Sequence, residues 1–548
     1  MRAEHDTTPV AKGQFVAPKR PATGTTGRFG TPAGATRPAS LEVLFAFAVL
    51  AALTAAEVGI TGNSFVVSHP MWLDESVTSL LLNDPRLQHM LAAIHGGADT
   101  NGPAFYFGTW PVAHLVGGSV SELRLITAGM MLLALAGIYM VCRFFVEPAR
   151  AAVGVLAAAV HPFVVVQMWQ VRMYGFWLAA IAWFCVYTVA PTRTRSWPAR
   201  LVGCVLAALV VTAHWLGVFA LVLVSLPAIV ETRSDPARRW NHLLPMVTGL
   251  LTLALCVPLI LSQRHILSVP TWIDSASLTT IAVQLRRIVL VPGSVLLVVY
   301  ALLRIWSWRR ENGGGVRRPG TGTEAQCEDV GTESSSAGTL CTPRPVLALL
   351  AYPVVLVVMS VAMQSVLIER YMLPVVIPIA LVTALAALPL RQRWGRLTTG
   401  IAIASLLVVG CLELNALRRV TRQDDDTAAL VIDIVQRSLA AHQPVVFARR
   451  FEAYPLIQAR PQWADSVAIL DFPGNPDGLM RRTLFERDLG RAVARFYKEY
   501  HLVTVDRLRE LGRFTVITSS GEEDELRHLL PKFRLRAVGV DEYVAELP

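Results

Sequence analysis

Two adjacent carboxylates, Asp74 and Glu75, stand in the stretch Trp72-Leu73-Asp74-Glu75-Ser76, just beyond a membrane-length apolar run. A carboxylate there can accept a proton from a hydroxyl or help to hold a cation. Neighbouring residues on a helix project about 100° apart, so the two would divide tasks rather than share one. Two arginines with adjacent tyrosines, Arg172-Met173-Tyr174 and Arg370-Tyr371, supply the opposite chemistry. The planar guanidinium fork suits the oxygens of a phosphate or carboxylate, and a phenol adds a hydrogen-bond donor.

Each of these has a plainer reading. Asp74 and Glu75 would serve equally as a solvated turn, and the arginines could simply snorkel to lipid headgroups. His214 would be a hydrogen-bonded helix end, and Asn101-Gly102-Pro103 a turn signal. An arginine deep in a membrane helix costs about 2.5–3.5 kcal/mol, so Arg172 and Arg370 should sit at helix ends facing protein, water or an anion, and the repeated Arg-x-Tyr or Arg-Tyr setting weighs against mere snorkelling.

The elements that would position these groups follow from composition. The 548 residues are 53% hydrophobic and only 16% charged, with a mean hydropathy of +0.47. That is too apolar for a soluble protein and indicates a polytopic α-helical membrane protein. The net charge of +10 therefore reflects basic cytoplasmic loops rather than a nucleic-acid partner. Seven cysteines include no CxxC or Cys/His ligand spacing, and no P-loop or GxGxxG run suggests a nucleotide-driven pump.

Residues 1 to 40, rich in Pro, Gly, Thr and Ala with scattered Arg and Lys, read as a disordered basic tail. The run from 41 to about 62 reads as an uncleaved first span. Further apolar runs cover roughly 123 to 143, 151 to 167, 173 to 191, 199 to 213, 215 to 231, 243 to 262, 287 to 305, 345 to 366, 372 to 390 and 397 to 415. The expectation is about 11 transmembrane helices. Alternate loops carry the arginines, from Arg143 and Arg150 to Arg391, Arg393 and Arg396, and so share the cytoplasmic side with the tail. This alternation requires Pro103 to Val116 to lie along the membrane as a juxtamembrane helix within a first external loop at 63 to 122.

The transmembrane domain is thus expected over 41 to 415, interrupted at 311 to 344 by a disordered cytoplasmic loop. From 420 to 548 short β-prone runs (Pro444 to Ala448, Ser466 to Phe472, Phe514 to Ser519) alternate with helical stretches such as 426 to 440 and 521 to 530. They indicate a small extracytoplasmic α/β domain. With that topology Asp74, Glu75, Asn101, Arg124, Gln170, Arg172, His214 and Arg370 all reach one membrane face. Arg264, Arg286 and Arg287 reach the same face and could add anion contacts.

The order of these motifs resembles that of the GT-C membrane glycosyltransferases. Specifically, it resembles the dolichyl-phosphate-mannose protein mannosyltransferase superfamily (glycosyltransferase family 39), which includes the lipid A aminoarabinose transferases. The likeness covers roughly residues 41 to 415. Asp74-Glu75 matches the family's acidic pair. Asp99-Thr100-Asn101-Gly102-Pro103-Ala104-Phe105-Tyr106 is similar to Asp-x-His-Pro-Pro-Leu-Tyr-Tyr, with Asn101 and Gly102 in place of the His and first Pro. Ser121-Glu122-Leu123-Arg124-Leu125 is a shortened Ser-Glu-x-x-x-Arg-Leu, and Gln170-Val171-Arg172-Met173-Tyr174 resembles Gln-Glu-Ala-Arg-x-Tyr. In that last motif the family's Glu is absent. Thr212-Ala213-His214-Trp215 and Glu369-Arg370-Tyr371-Met372-Leu373-Pro374 are similar to the Thr-His-Tyr and Arg-Tyr-Leu-x-Pro segments.

The resemblance implies transfer of a mannose- or pentose-like sugar from a polyprenyl-monophosphate donor to a protein, glycan or lipid acceptor outside the cytoplasmic membrane. On that reading Asp74 is the general base, with Glu75 in support, and transfer inverts the anomeric carbon. Arg172, Arg370, Tyr174 and Tyr371 hold the donor phosphate, and Asn101, Arg124, Gln170 and His214 bind substrate. Glu75 or His214 could support a divalent cation, though no ligand motif asserts one. The alternatives are a secondary transporter, or a glycosyltransferase-like scaffold that binds the lipid without turnover.

Overall fold

The computed structural model describes residues 71–190, 195–263, 277–289, 342–362, 366–387, 393–448, 450–471, 481–518, 526–528, 530–539 and 542–548. The basic tail, the first span, Arg264, most of the span at 287 to 305, most of the loop at 311 to 344 and most of the helix at 521 to 530 lie outside them.

Among the described residues three helices precede the first described span: α1 (Leu73–Leu82), α2 (Leu87–His95) and α3 (Ala104–Val116). Gly117 and Gly118, at φ 119° and 70°, then turn the chain in a conformation that side chains disfavour. A reciprocal cap starts α4 (Val120–Arg143). Glu122 N donates to Ser119 Oγ at 3.4 Å, and Ser119 N donates to Glu122 Oε2 at 2.7 Å. The 24 residues of α4 extend about 36 Å, enough to cross a bilayer core.

The next expected span is broken. α5 (Pro148–Ala159) and α6 (Pro162–Met168) meet at 68°, because Pro162 lacks an N–H and drives His161 out of helical geometry. The break ends α6 at the loop Trp169 to Met173, which delivers Arg172 to the start of α7 (Tyr174–Val189). There follow α8 (Trp197–Ala213), α9 (Gly217–Glu231), α10 (Pro236–Leu255), α11 (Val257–Ser262) and α12 (Leu278–Val289). After α13 (Tyr352–Ala362), a 3-10 segment, Glu369–Val375, presents Arg370 and Tyr371 ahead of α14 (Val376–Ala386). Among the described residues four helices are long and apolar enough to cross a membrane, five counting the bent pair, and α7, α8 and α9 are shorter apolar helices. The chain is a polytopic helical membrane protein.

The last span and the helix at 426 to 440 are one element. α15 (Arg393–Ala440) runs 48 residues, about 72 Å, so a single rod links bundle to sheet. The sheet has the order β3-β2-β1-β4-β6-β5. Strands β1 (Val445–Phe447), β2 (Val467–Asp471), β3 (Leu502–Thr504) and β4 (Arg513–Ile517) pair in parallel. Helices α16 (Arg450–Ala459), α17 (Arg481–Phe496) and α18 (Val505–Leu511) make the crossovers. Strands β5 (Arg534–Gly539) and β6 (Glu542–Glu546) add an antiparallel edge.

This domain rests on α1 and α2. Gln458 Nε2 of α16 donates to Ser76 O at 2.6 Å, and Tyr497 OH donates to the buried Asp84 Oδ2 at 2.8 Å. His89 Nδ1 lies 2.5 Å from the same oxygen, and the Phe496 ring fills the space over Gly96, where a Cβ would come within 2.4 Å of it. Burial pushes the Asp84 carboxyl up, but the Arg86 N–H, His89 and Tyr497 outweigh it and hold its pKa below the ordinary range. A carboxyl lowered on folding contributes stability that is complete above about pH 4 and lost as pH falls through the folded value. Tyr497→Phe is expected to weaken the junction by about 1–3 kcal/mol, read as faster protease release of the C-terminal domain; an unchanged cleavage rate would show that the contact does not hold the domain down.

Candidate active site

The first turn of α1 carries both carboxylates, and the helix sends them in different directions. Asp74 Oδ2 meets Arg370 Nη1 at 3.0 Å, a contact between residues 296 apart in sequence. The side chains are 19% and 11% exposed, so the pair sits in a recess that is still open to entry. Three aromatic rings surround the Arg370 guanidinium: Trp72 at 5.0 Å, Tyr371 at 5.8 Å and Tyr174 at 5.9 Å from ring centroids. These faces favour a cation electrostatically.

Glu75 points into the protein and is 4% exposed. Its Oε1 accepts the Val171 N–H at 2.8 Å, its Oε2 accepts the Trp72 N–H at 3.4 Å, and Arg124 Nη2 lies 3.8 Å from Oε2. Glu75 and the fully buried Arg124 therefore join α1, α4 and the 169 to 173 loop behind the recess. Gln170 contributes its backbone carbonyl, which accepts the Arg172 N–H at 2.7 Å.

Arg172 is buried and makes three contacts through one nitrogen. Its Nη1 donates to Thr78 Oγ1 at 2.7 Å, Asp99 Oδ2 at 2.9 Å and the Asp74 carbonyl at 3.1 Å. Asp99 in turn accepts from Tyr106 OH, from Asn101 N at 3.0 Å and from Asn101 Nδ2 at 2.5 Å. Burial would raise the Asp99 pKa, but the Arg172 charge, the Tyr106 hydroxyl and the Asn101 donors outweigh it and hold the carboxyl ionised. Asp99 headed a recognised motif yet carried no role in the sequence. The available signal was its place two residues ahead of Asn101 and seven ahead of Tyr106.

The loop bearing Asp99 is pinned from both sides. Gln263 Nε2 donates to Asp99 O at 2.9 Å and Ile94 O at 3.1 Å, and Trp215 Nε1 donates to Thr100 O at 2.9 Å. Gly102 stands where a Cβ would lie 1.9 Å from Thr212 O, which explains why a glycine occupies that place in the motif. His214, at the end of α8, stacks on Trp177 with centroids 4.7 Å apart and meets Tyr371 edge-on at 4.9 Å.

The structure thus brings Asp74, Arg370, Tyr174, Tyr371 and His214 around one recess. Arg172, Asn101 and Asp99 form a buried network beneath it, which the Gln170 carbonyl joins through the Arg172 N–H, and Glu75, Arg124 and the Val171 N–H form a second. Arg286 is exposed on α12. Among the described residues no group of three or more His, Cys, Asp or Glu could hold a metal ion.

No protein-family model and no curated protein matches the sequence. Solved structures do match. ArnT from Cupriavidus metallidurans bound to undecaprenyl phosphate superposes with a TM-score of 0.56 at 12% identity, over 91% of this chain and 98% of that one. The apo state of the same protein gives a TM-score of 0.55 at 13% identity over the same shares. At that coverage the alignment reaches into the C-terminal domain as well as the helical bundle. In fold, this chain is a polytopic helical membrane protein with a small C-terminal sheet domain, built as ArnT is built.

Proposed function

We propose that this protein is a membrane glycosyltransferase that uses a sugar carried on polyprenyl monophosphate. It works on the extracytoplasmic face of an approximately 11-span bundle, with Asp74 as general base and Arg370 as the cation for the donor phosphate. The observation that supports this most is the meeting of Asp74 and Arg370 in a recess walled by Trp72, Tyr174 and Tyr371.

The donor's phosphodiester carries one negative charge shared over two non-bridging oxygens that fit the guanidinium fork, so a bound donor competes with Asp74 for Arg370. The displaced carboxylate is then free to take the acceptor's proton. The acceptor oxygen bonds to the anomeric carbon as the bond from that carbon to the phosphate oxygen breaks, with inversion. The electron pair leaves on the polyprenyl phosphate, where Arg370 and the two tyrosines stabilise it. Arg172, expected at the phosphate from the sequence, is here a positioning residue. Its Nη1 is held by Asp99, Thr78 and the Asp74 carbonyl, which fixes the start of α1. A mannose- or pentose-like sugar and a protein, glycan or lipid acceptor complete the reading.

The test is release of polyprenyl phosphate by the full chain in proteoliposomes supplied with mannosyl- or pentosyl-loaded lipid and a cell-envelope acceptor fraction. The wild type should turn over, and Arg370→Ala should lose about 100-fold or more. Uptake of free sugar without any acceptor, and no lipid turnover, would instead favour a transporter.

A further inference from the structure

His214 closes α8 in a non-helical conformation and is 5% exposed. Its Nδ1 accepts the Leu216 N–H at 3.2 Å. A nitrogen that accepts is unprotonated, so the proton of the neutral ring resides on Nε2. That Nε2 is buried and has no hydrogen-bond partner among the described residues. Buried donors are nearly always satisfied, and an exception asks for a group that the free protein lacks.

The surroundings say which group. The imidazole stacks on Trp177 at 4.7 Å and meets Tyr371 at 4.9 Å and Tyr174 at 6.3 Å. The rings of Tyr371 and Tyr174 also flank the Arg370 guanidinium. A ligand that brings acceptor oxygens to Arg370 therefore enters the same aromatic enclosure as the unpaired donor. Resting on the glycosyltransferase reading, we propose that His214 is a neutral phosphate-binding residue, its Nε2–H donating to a non-bridging oxygen of the donor lipid. It is neither a base nor a metal ligand: Nδ1 is occupied, and Nε2 carries the proton. A neutral donor beside Arg370 adds a hydrogen bond to the phosphate without a second full charge, so the product lipid is still able to leave.

Two near-isosteric variants separate this role from that of a helix-end cap. Asparagine places an oxygen close to Nδ1 and can still accept the Leu216 N–H, but has nothing at Nε2. Glutamine reaches the Nε2 position with an N–H donor and gives up the local cap. Undecaprenyl phosphate, without sugar, is titrated into the detergent-solubilised full chain. His214→Asn is expected to weaken binding about tenfold or more, as for loss of a hydrogen bond to a charged group, while His214→Gln stays within about threefold of wild type.

Binding retained in Asn and lost in Gln would make His214 a cap and overturn the proposal, as would equal behaviour of the two. A loss confined to sugar-loaded lipid would move the contact to the sugar and likewise reject a phosphate contact. Should the Asn variant fail to fold, a folded Gln variant decides alone: wild-type-like binding supports the donor and a tenfold loss rejects it. Wild type that does not bind undecaprenyl phosphate would sink the functional reading itself, an outcome distinct from normal wild-type binding with no effect at position 214.

Discussion

Asp74→Asn is expected to lower sugar transfer by about 10³-fold while leaving the protein able to bind undecaprenyl phosphate, and to tighten that binding. The amide preserves size but cannot take a proton from an acceptor hydroxyl, and a positioned base is worth about 10²–10⁴ in rate. Tightening follows from the ion pair: in the free protein Asp74 occupies Arg370 at 3.0 Å, and the neutral amide competes with the phosphate less well. A single-turnover assay measures the first effect, and lipid titration of the same preparation measures the second. Transfer at the wild-type rate would remove Asp74 from the chemistry. Slow transfer with weaker lipid binding would instead mean that the carboxylate helps to build the phosphate site.

The second large effect is on stability. The Arg172 and Asp99 side chains are 7% and 5% exposed and 2.9 Å apart. Removing one partner of such a pair strands a charge away from water, which costs about 3–5 kcal/mol. Arg172→Ala is therefore expected to lower the unfolding temperature in detergent and to reduce membrane abundance, and Asp99→Asn to do the same less severely because the amide still accepts a hydrogen bond. Arg172→Lys restores charge but not the reach and planar geometry with which Nη1 meets Thr78, Asp99 and the Asp74 carbonyl, so it should recover stability more than activity. A stable, inactive Arg172→Ala would contradict the positioning role and return Arg172 to the phosphate.

Both expectations begin from residues visible in the sequence, yet their assignments differ in how they became visible. The membrane class, the basic-loop alternation and the change of pattern after residue 420 are local or compositional properties. Apolar length, arginine placement and β-branched runs produce them whatever the remainder of the chain does. The same is true of Asp74 and Glu75 diverging, since that follows from the angle between neighbours on a helix. The joining of 397 to 415 with 426 to 440 into α15 was hidden by the charged stretch between them. Charge ends an apolar run without ending a helix.

What only the tertiary structure decided was partnership. Of two arginines in nearly identical settings, Arg370 faces an open recess and Arg172 a buried carboxylate, because the break at Pro162 and the pinned Asp99 loop bring Arg172 under α1. Position in sequence cannot distinguish them, since a guanidinium takes the role of whichever acceptor the fold brings within about 3 Å. Asp99 likewise gained its place from four groups donated by three separate residues. The sequence by itself determined which groups are available and in what order they come along the chain; long-range packing determined which of them meet, and which are buried against one another.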